Sequence, residues 1–507
     1  MTEGARSTRW WILYAVIAVV AFGSRLAMML RGGGLDSVGK YDDGVYYAAA
    51  AAFVHGRMPY ADFFFIQPPG VVLAGAPFAW FGSATTDATG FAVAHVAFMI
   101  VGSVNAVLVA VILRRFGFVA AAVGGLGYAI SFVTVFTERS ILLEPFGTLG
   151  ILVALLVLSR PAWRARTPWL LAAGAALGMA AGFKIWYVVP ALIIIAWSRR
   201  GWWRMLLGAI IGGCLIYLPF FLRDPGAAVQ QIILDQLGRA DASLPPLQRL
   251  GLILGDFTIP PSLAHHGLTP LRLTAVLAVI ALAATILAAT VRGARLYVVL
   301  LIANLTILLT APSFFLHYTA LTSPMLALVF GVAVGRFVEL VPIRGVGVAA
   351  AVAMMAVVAA LNVPIVWAGY GDKIPMAALT AKAHQVKGCV LSDDPTILAA
   401  TSMLTRNLEQ GCPLIVDITG LTYGPDREVK ADGTVVPRWL NERYQAHLVR
   451  YFTSEPAVIL GRPGTALSKK SYLEITKGTI LHHQPGIVRA TPDGVKLHAE
   501  IVLVKMP

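Results

Sequence analysis

Apolar runs of about 20 residues recur along most of positions 1–367, and this repetition constrains the fold more than any other feature. A helix needs about 20 apolar residues to cross the hydrocarbon core of a bilayer. Of the 507 residues, 58% are hydrophobic and only 13% are charged, whereas a soluble domain carries about 25% charged residues. The sequence therefore predicts an all-α polytopic membrane bundle.

About eleven transmembrane helices are predicted from these runs. The first run is too long for the apolar core of a cleavable signal peptide, so we interpret it as a span. Several runs are shorter than a full span, and their helices are expected to extend into the flanking residues. The predicted spans are residues 10–30, 89–113, 118–135, 143–158, 169–182, 185–197, 205–222, 271–290, 296–309, 319–340 and 346–367.

Arginine predicts the orientation of these spans. It falls in every second loop, at positions 6, 9, 114, 115, 160, 164, 166, 199, 200, 204, 292, 295 and 344. The positive-inside rule assigns those loops to the cytoplasm, so the N-terminus is expected to be cytoplasmic and the C-terminus extracytoplasmic, in the cytoplasmic membrane. The net charge of +14 does not indicate nucleic-acid binding, because the arginines lie in short loops and not on one soluble face.

Two domains are predicted. Residues 1–367 form the membrane domain, with external loops 31–87 and 223–270, and residues 368–507 form a small extracytoplasmic α/β domain. Two helices lying on the membrane surface are expected in the first loop, at 43–55 and 69–81. In the tail, strands are predicted at 390–391, 414–417, 457–460 and 501–504, and helices at 396–407 and 438–451. Cys389 and Cys412 are compatible with a disulfide in an oxidising compartment.

Paired acids at the start of the first-loop helix are the main candidate site. Asp42 and Asp43 are costly beside lipid unless they are solvated or used. A carboxylate there can deprotonate an acceptor hydroxyl and so assist its attack on an activated sugar. Alternatively, the two acids cap the helix and complement its dipole. The residues alone leave both interpretations open.

The order of motifs around these acids resembles a known family. The motifs are Tyr41-Asp42-Asp43-Gly44, Gly56-Arg57-Met58-Pro59-Tyr60-Ala61-Asp62-Phe63 and Gln67-Pro68-Pro69-Gly70. They are similar to the first periplasmic loop of bacterial GT-C glycosyltransferases, in particular the family 39, ArnT-like and Rgt-like group. Gln67 departs from the pattern, because many relatives carry Lys there, and this puts a phosphate-contacting role at that position in doubt.

The resemblance implies roles for these residues. It assigns the general base to Asp42 or Asp43, and we favour Asp42 as the base, with Asp43 as the helix cap and supporting acid. It also places Tyr60, Asp62 and Gln67 in the substrate site.

Further candidates lie at the outer ends of later spans. Glu138 and Arg139, ahead of Leu143-Glu144-Pro145, resemble a second external loop that lines the family's active site; the alternative is an exposed ion pair. Lys184 would contact a donor phosphate, or would be an interfacial lysine that reaches toward water. His317 and Tyr318 would hydrogen-bond the same phosphate, or form a hydrated interfacial pair.

Weaker signals complete the set. Arg239, in Arg239-Ala240-Asp241, either lines the donor cavity or forms an ordinary loop ion pair, and we favour the ion pair. Asp393 and Asp417 lie at or just after the ends of predicted strands, where acids often touch ligands, and are assigned to acceptor binding; the alternative is that they are solvated turn acids. His265-His266 is followed by no acid or cysteine at ligand spacing, so no metal site is predicted. No cofactor is assigned, although a divalent cation would be compatible.

The predicted function is therefore transfer of a monosaccharide from a polyprenyl-phosphate carrier to a glycan, lipid or protein acceptor at the outer face of the membrane. The alternatives are a transporter or flippase of lipid-linked sugars, and a non-catalytic scaffold with the same fold. A transporter requires ionisable residues at mid-span, whereas the charges recognised here cluster at span ends. Asp-to-Asn substitutions in the first loop separate the enzyme from its rivals.

Overall fold

The computed structural model describes residues 3–36, 38, 41–237, 239, 244–256, 269–369, 371, 374–462, 465–490 and 496–507. Helices make up most of this part of the chain. Those of the first half are α1 Glu3–Arg31, α2 Tyr41–Val54, α3 Gly70–Ala84, α4 Asp87–Leu113, α5 Phe118–Ile130, α6 Phe132–Glu138, α7 Glu144–Ser159, α8 Pro161–Arg164, α9 Thr167–Phe183, α10 Val188–Trp197, α11 Trp202–Arg223, α12 Pro225–Val229, α13 Asp235–Leu237 and α14 Pro246–Leu254.

The second half contains the remaining helices and one sheet. They are α15 Pro270–Thr290, α16 Arg295–Thr310, α17 Ser323–Leu340, α18 Arg344–Ala368, α19 Ala377–Gln385, α20 Pro395–Ala400, α21 Leu404–Glu409, α22 Glu442–Phe452 and α23 Lys469–Ile475, with strands β1 Val390–Ser392, β2 Ala457–Leu460, β3 Thr479–Ala490 and β4 Lys496–Lys505.

The helices confirm a multi-pass membrane fold. Within the described residues, seven helices are long and apolar enough to cross a bilayer, or eight if the bent pair α5–α6 is one span. The three other predicted spans lie on the shorter apolar helices α7 and α9 and on the segment Ile185–Trp197. The first-loop helix α3 is also short and apolar.

The chain separates into two compact units. The first, which we call the membrane unit, comprises Met1–Met28, Ala97–Ile216 and Asp241–Gly369. The second, the loop–tail unit, comprises Met29–Val96, Tyr217–Ala240 and Tyr370–Pro507. The tail begins close to the predicted boundary at 367/368, but the first loop groups with the tail and not with the membrane bundle.

Close helix contacts in the membrane unit depend on glycine. Glycines spaced four apart on α9 face the backbone of α11, and glycines of α11 face the backbone of α9 in return. A Cβ on Gly174 would collide with the carbonyl oxygen of Met205, and one on Gly208 with that of Leu171. Small residues at this spacing let transmembrane helices approach until their backbones touch.

The tail folds as a four-stranded sheet in the order β1-β2-β4-β3, in which β1 and β2 are parallel and the other pairs antiparallel. The strands predicted at 390–391, 457–460 and 501–504 are present. The strand predicted at 414–417 is not, and the long strand β3 was not predicted. The helix predicted at 396–407 divides into α20 and α21, with Ser402 in a left-handed conformation between them (φ 55°). Cys389 and Cys412 form a disulfide.

The first-loop helix α2 differs from the prediction of an amphipathic surface helix. Every residue from Asp43 to Ala52 is buried. Its five consecutive alanines, 48–52, allow close packing on all sides, and within the loop–tail unit α2 packs against α3 and α20. An alanine run has no polar face, so α2 is not the amphipathic helix that was predicted; its position at the membrane surface stays a prediction.

Candidate active site

Asp42 and Asp43 lie in the first turn of α2, where acids complement the helix dipole. Gly44, the next residue, touches the start of α20: a Cβ there would collide with the backbone nitrogen of Thr396. Asp394 caps α20 by accepting a hydrogen bond from that nitrogen at 2.9 Å. The first loop and the tail are therefore in direct contact at the two acids, inside one compact unit.

Asp42 is partly buried. Burial is the largest influence on its pKa and raises it to about 6, from an ordinary value of 3.8. The charges of Asp417 and Asp43 raise the pKa further, and those of Arg239 and Arg462 lower it. A carboxylate that is ionised at neutral pH but has a raised pKa has the acid–base character of a general base.

Asp43 is engaged with a residue that the sequence interpretation missed. Its Oδ2 lies 3.1 Å from Nε2 of His95 in α4, and both side chains are buried. His95 Nδ1 lies 3.0 Å from the carbonyl oxygen of Phe91. Since a carbonyl can only accept, Nδ1 is the donor in that contact, and Nε2 is the ring nitrogen that faces the carboxylate of Asp43.

The other first-loop candidates, Tyr60, Asp62 and Gln67, take part in hydrogen bonds within the loop. Tyr60 has a left-handed backbone (φ 71°), and its hydroxyl donates to the carbonyl oxygen of Gln67 at 2.7 Å. Asp62 is exposed and accepts a hydrogen bond from the backbone nitrogen of Met58 at 2.6 Å. In this structure the polar atoms of Tyr60 and Asp62 thus stabilise the turn itself.

Lys184 and its neighbours form a second cluster, in the membrane unit. Its Nζ donates to Glu144 Oε1 at 2.6 Å and lies 3.7 Å from the ring centre of Tyr318. Tyr318 also contacts the rings of Trp186 and His317, with centroid distances of 4.8 and 4.7 Å. The structure therefore brings Lys184, His317 and Tyr318 together; their phosphate role stays a prediction.

Glu138 lies in a buried polar network and not in an exposed ion pair with Arg139. Its Oε2 pairs with Arg25 of α1, and its Oε1 accepts from Asn105 at 2.8 Å and Tyr128 at 2.7 Å. Arg139 is also buried, with its guanidinium 5.6 Å from the ring centre of Phe136. The ion-pair alternative was wrong, because the partner of Glu138 comes from another helix.

Metal ligands can be assessed only within the described part of the chain. There, no group of three or more His, Cys, Asp or Glu side chains is arranged to hold a metal ion. His265 and His266 lie outside the described residues.

No protein-family model matches the chain, and no curated protein matches its sequence. Its structure does match solved ones. Apo ArnT from Cupriavidus metallidurans aligns over 98% of both chains with a TM-score of 0.61 and 16% identity. The structure of ArnT bound to undecaprenyl phosphate gives a TM-score of 0.59, again over 98% of both chains at 16% identity.

An oligosaccharyltransferase from Archaeoglobus fulgidus, tethered with an acceptor peptide, aligns with a TM-score of 0.53 and 13% identity, over 97% of this chain and 74% of that one. ArnT and the oligosaccharyltransferase are GT-C proteins. This chain has the GT-C fold. The likeness extends over almost the whole chain, so the GT-C fold includes the tail, for which the sequence suggested no relative.

Several residues in the two clusters described above could not be identified from the sequence. His95 is a lone histidine inside an apolar run, and Arg25 a lone cation inside the first span. Arg462 was not singled out, and Arg239 was taken as an ordinary loop cation. Glu144 was noted only beside Glu138. The acids Asp393 and Asp417 carried a weak signal, since both follow predicted strands.

Proposed function

We propose that this protein is a glycosyltransferase that moves a monosaccharide from a polyprenyl-phosphate carrier to the hydroxyl of an acceptor. The observation that carries the proposal is Asp42: a partly buried carboxylate with a pKa raised to about 6, at the start of α2 in a GT-C fold. A general base works best when its pKa lies near the working pH, because it is then both ionised and basic.

Asp42 takes the proton of the acceptor hydroxyl as that oxygen attacks the anomeric carbon. The bond from the anomeric carbon to the carrier phosphate breaks, and the carrier phosphate leaves with the bonding electrons. Asp43 is proposed to support this step and not to perform it, because its Oδ2 is already engaged by His95.

The carrier phosphate gains charge as it leaves and needs a cation. Lys184 is the candidate cation. Glu144 holds it through Oε1 alone. The other carboxylate oxygen, Oε2, is buried and has no hydrogen-bond partner among the described residues. His317 and Tyr318, beside Lys184, are proposed to hydrogen-bond the same phosphate. Arg139, Glu138, Tyr60, Asp62 and Gln67 remain proposed substrate neighbours, with the structural contacts described above.

The structures of similar fold support a lipid-linked donor. ArnT has been solved with undecaprenyl phosphate, and the oligosaccharyltransferase AglB of Archaeoglobus fulgidus with dolichol-phosphate and an inhibitory peptide. The acceptor is proposed as a hydroxyl of a glycan, a lipid or a protein. We also propose that the tail is extracytoplasmic, which the Cys389–Cys412 disulfide supports, because disulfides persist in oxidising compartments.

Transfer in membranes containing the purified protein tests the proposal. Radiolabelled polyprenyl-phosphate hexoses and pentoses are supplied with an envelope extract as acceptor, and label that has moved from the carrier to any other molecule, lipids included, is counted after chromatographic separation. Wild-type protein and Asp36→Asn, which removes an exposed first-loop acid, should transfer label, and Asp42→Asn should not. If the wild type transfers label from none of the donors, the enzyme assignment is wrong. Label that crosses the bilayer without changing carrier would indicate a flippase.

A further inference from the structure

Tyr41 joins the first turn of α2 to two charged residues of the tail. Its hydroxyl donates to Asp417 Oδ1 at 3.0 Å. On the ring face, the guanidinium carbon of Arg462 lies 3.8 Å from the ring centre, a distance at which a cation is attracted to an aromatic face. The residue that precedes Asp42 is thus fixed at both its ring and its hydroxyl by the tail.

Asp417 is itself held firmly. The same oxygen that receives the Tyr41 hydroxyl also accepts from the Thr419 hydroxyl at 3.0 Å and from the Gly420 backbone nitrogen at 2.9 Å. The Thr419 backbone nitrogen in turn donates to the Tyr41 hydroxyl at 3.3 Å. Asp417 is therefore a fixed negative charge beside the start of α2.

Arg462 is held by the sheet. It follows β2, and its backbone nitrogen donates to Asp393 Oδ2 at 2.9 Å. The nitrogen of Gly461 donates to the other oxygen of Asp393 at 2.6 Å. Asp393 directly follows β1, the parallel neighbour of β2. The carboxyl ends of the two parallel strands thus place the Arg462 side chain over Tyr41.

We propose that the tail completes the catalytic site, with Asp417 and Arg462 acting as positioning residues that hold the start of α2 and set the charge around Asp42. This inference rests on the proposed function, in which Asp42 is the base. The tail is then part of the transfer machinery itself and not a separate module that only binds the acceptor.

The two residues act on Asp42 with opposite signs. Asp417 is negative and raises the pKa of Asp42; Arg462 is positive and lowers it. The other charged groups that act on Asp42 are Arg239, which lowers its pKa, and Asp43, which raises it. Removal of Asp417 or Arg462 should therefore move the acidic limb of the pH–rate profile in opposite directions, which a purely structural role would not do.

The test is the pH dependence of kcat/KM for transfer, measured on the full-length protein in nanodiscs with the donor that the wild type uses. Asp417→Asn should lower the midpoint of the acidic limb by about 0.5–1 pH unit, and Arg462→Gln should raise it by a similar amount. Arg462→Lys, which keeps the charge but loses the flat guanidinium, should restore the midpoint while kcat stays reduced. The controls are Asp432→Asn and Arg443→Gln, which remove exposed tail charges that are not among those acting on Asp42.

Asp417→Asn and Arg462→Gln each test a predicted direction of the midpoint shift. If one of the two variants does not fold, the other still tests the inference. If Asp42→Asn abolishes transfer, two results overturn the inference. One is that the acidic-limb midpoints of Asp417→Asn and Arg462→Gln equal those of the control variants; the other is that both midpoints shift in the same direction. If Asp42→Asn transfers sugar at the wild-type rate, the proposed base is wrong, and the inference that depends on it is overturned as well.

Discussion

His95 Nε2 and Asp43 Oδ2 lie 3.1 Å apart, with both side chains almost fully buried. This contact distinguishes the surroundings of the two first-loop acids. Asp43 is engaged by a histidine that α4 supplies, whereas Asp42 has tail and loop arginines in its surroundings and a pKa raised to about 6. The difference agrees with the proposal that Asp42 is the base and Asp43 the supporting acid.

Removing His95 should destabilise the fold, because the buried carboxylate of Asp43 loses its partner. Loss of one partner of a buried ion pair costs about 3–5 kcal/mol, so His95→Leu should lower the thermal midpoint markedly. Adding Asp43→Asn to that variant should recover part of the loss, because the uncompensated charge is gone. A thermal-shift double-mutant cycle in detergent measures this coupling, and additive effects would show that the pair is not electrostatically linked.

Transfer should depend on a group with a pKa of about 6. As the pH falls below that value Asp42 becomes protonated and can no longer accept a proton, so kcat/KM should fall about tenfold per pH unit. The measurement is the initial rate at fixed donor and an acceptor concentration well below KM, across the acidic range, corrected for protein that has unfolded. A flat profile down to the ordinary range of aspartate would contradict the raised pKa.

Asp42→Asn should stabilise the fold while it removes activity. The pKa of Asp42 is about 6 in the folded protein, compared with an ordinary value of 3.8. At neutral pH the ionised carboxylate therefore lowers the free energy of unfolding by on the order of 1–3 kcal/mol. The unfolded state loses its proton first as the pH rises, so wild-type stability declines through this window. The advantage of Asn should be complete above about pH 6 and absent near pH 4. Thermal midpoints at both values, with Asp36→Asn as the matched control, test this.

Lys184 and Glu144 should affect donor binding in opposite ways. Lys184→Gln removes the cation proposed for the phosphate and should raise the donor KM at least about tenfold, since a charged hydrogen bond contributes roughly 1.5–3 kcal/mol. Glu144→Gln leaves the lysine with its full charge, so the donor KM should stay the same or fall. Donor titrations with both variants measure this. A rise of KM in Glu144→Gln and none in Lys184→Gln would contradict the phosphate role.

The membrane part of the fold was predictable because lipid imposes a simple rule on the sequence. Each span could be predicted from the hydrophobicity of its own residues alone. The burial of α2 could not be predicted in this way. Its run of alanines has neither an apolar nor a polar face, so the sequence does not indicate which side of the helix packs against other elements. Strand β3 was missed because Ile480 is followed by the polar residues His482, His483 and Gln484, which do not form an apolar run.

The site was predictable only where residues are close in sequence. The first-loop acids lie within one ordered set of motifs, and they were found. Tyr41 and Asp417, by contrast, are 376 positions apart, and Arg25 and Glu138 are 113 apart. No local pattern connects such pairs, because folding alone brings them into contact. His95 lies 52 positions from Asp43 and inside an apolar run, so it was indistinguishable from an ordinary core histidine.

The central claim is that Asp42, and not Asp43, is the base. Single-turnover transfer by Asp42→Asn and Asp43→Asn, measured side by side with equal amounts of folded protein, tests it most directly. We expect Asp42→Asn to slow the chemical step about 10²–10⁴-fold. Asp43→Asn should slow it by less than about tenfold, because an amide can still hydrogen-bond His95. Equal rates for Asp42→Asn and the wild type, or the larger loss in Asp43→Asn, would contradict the claim.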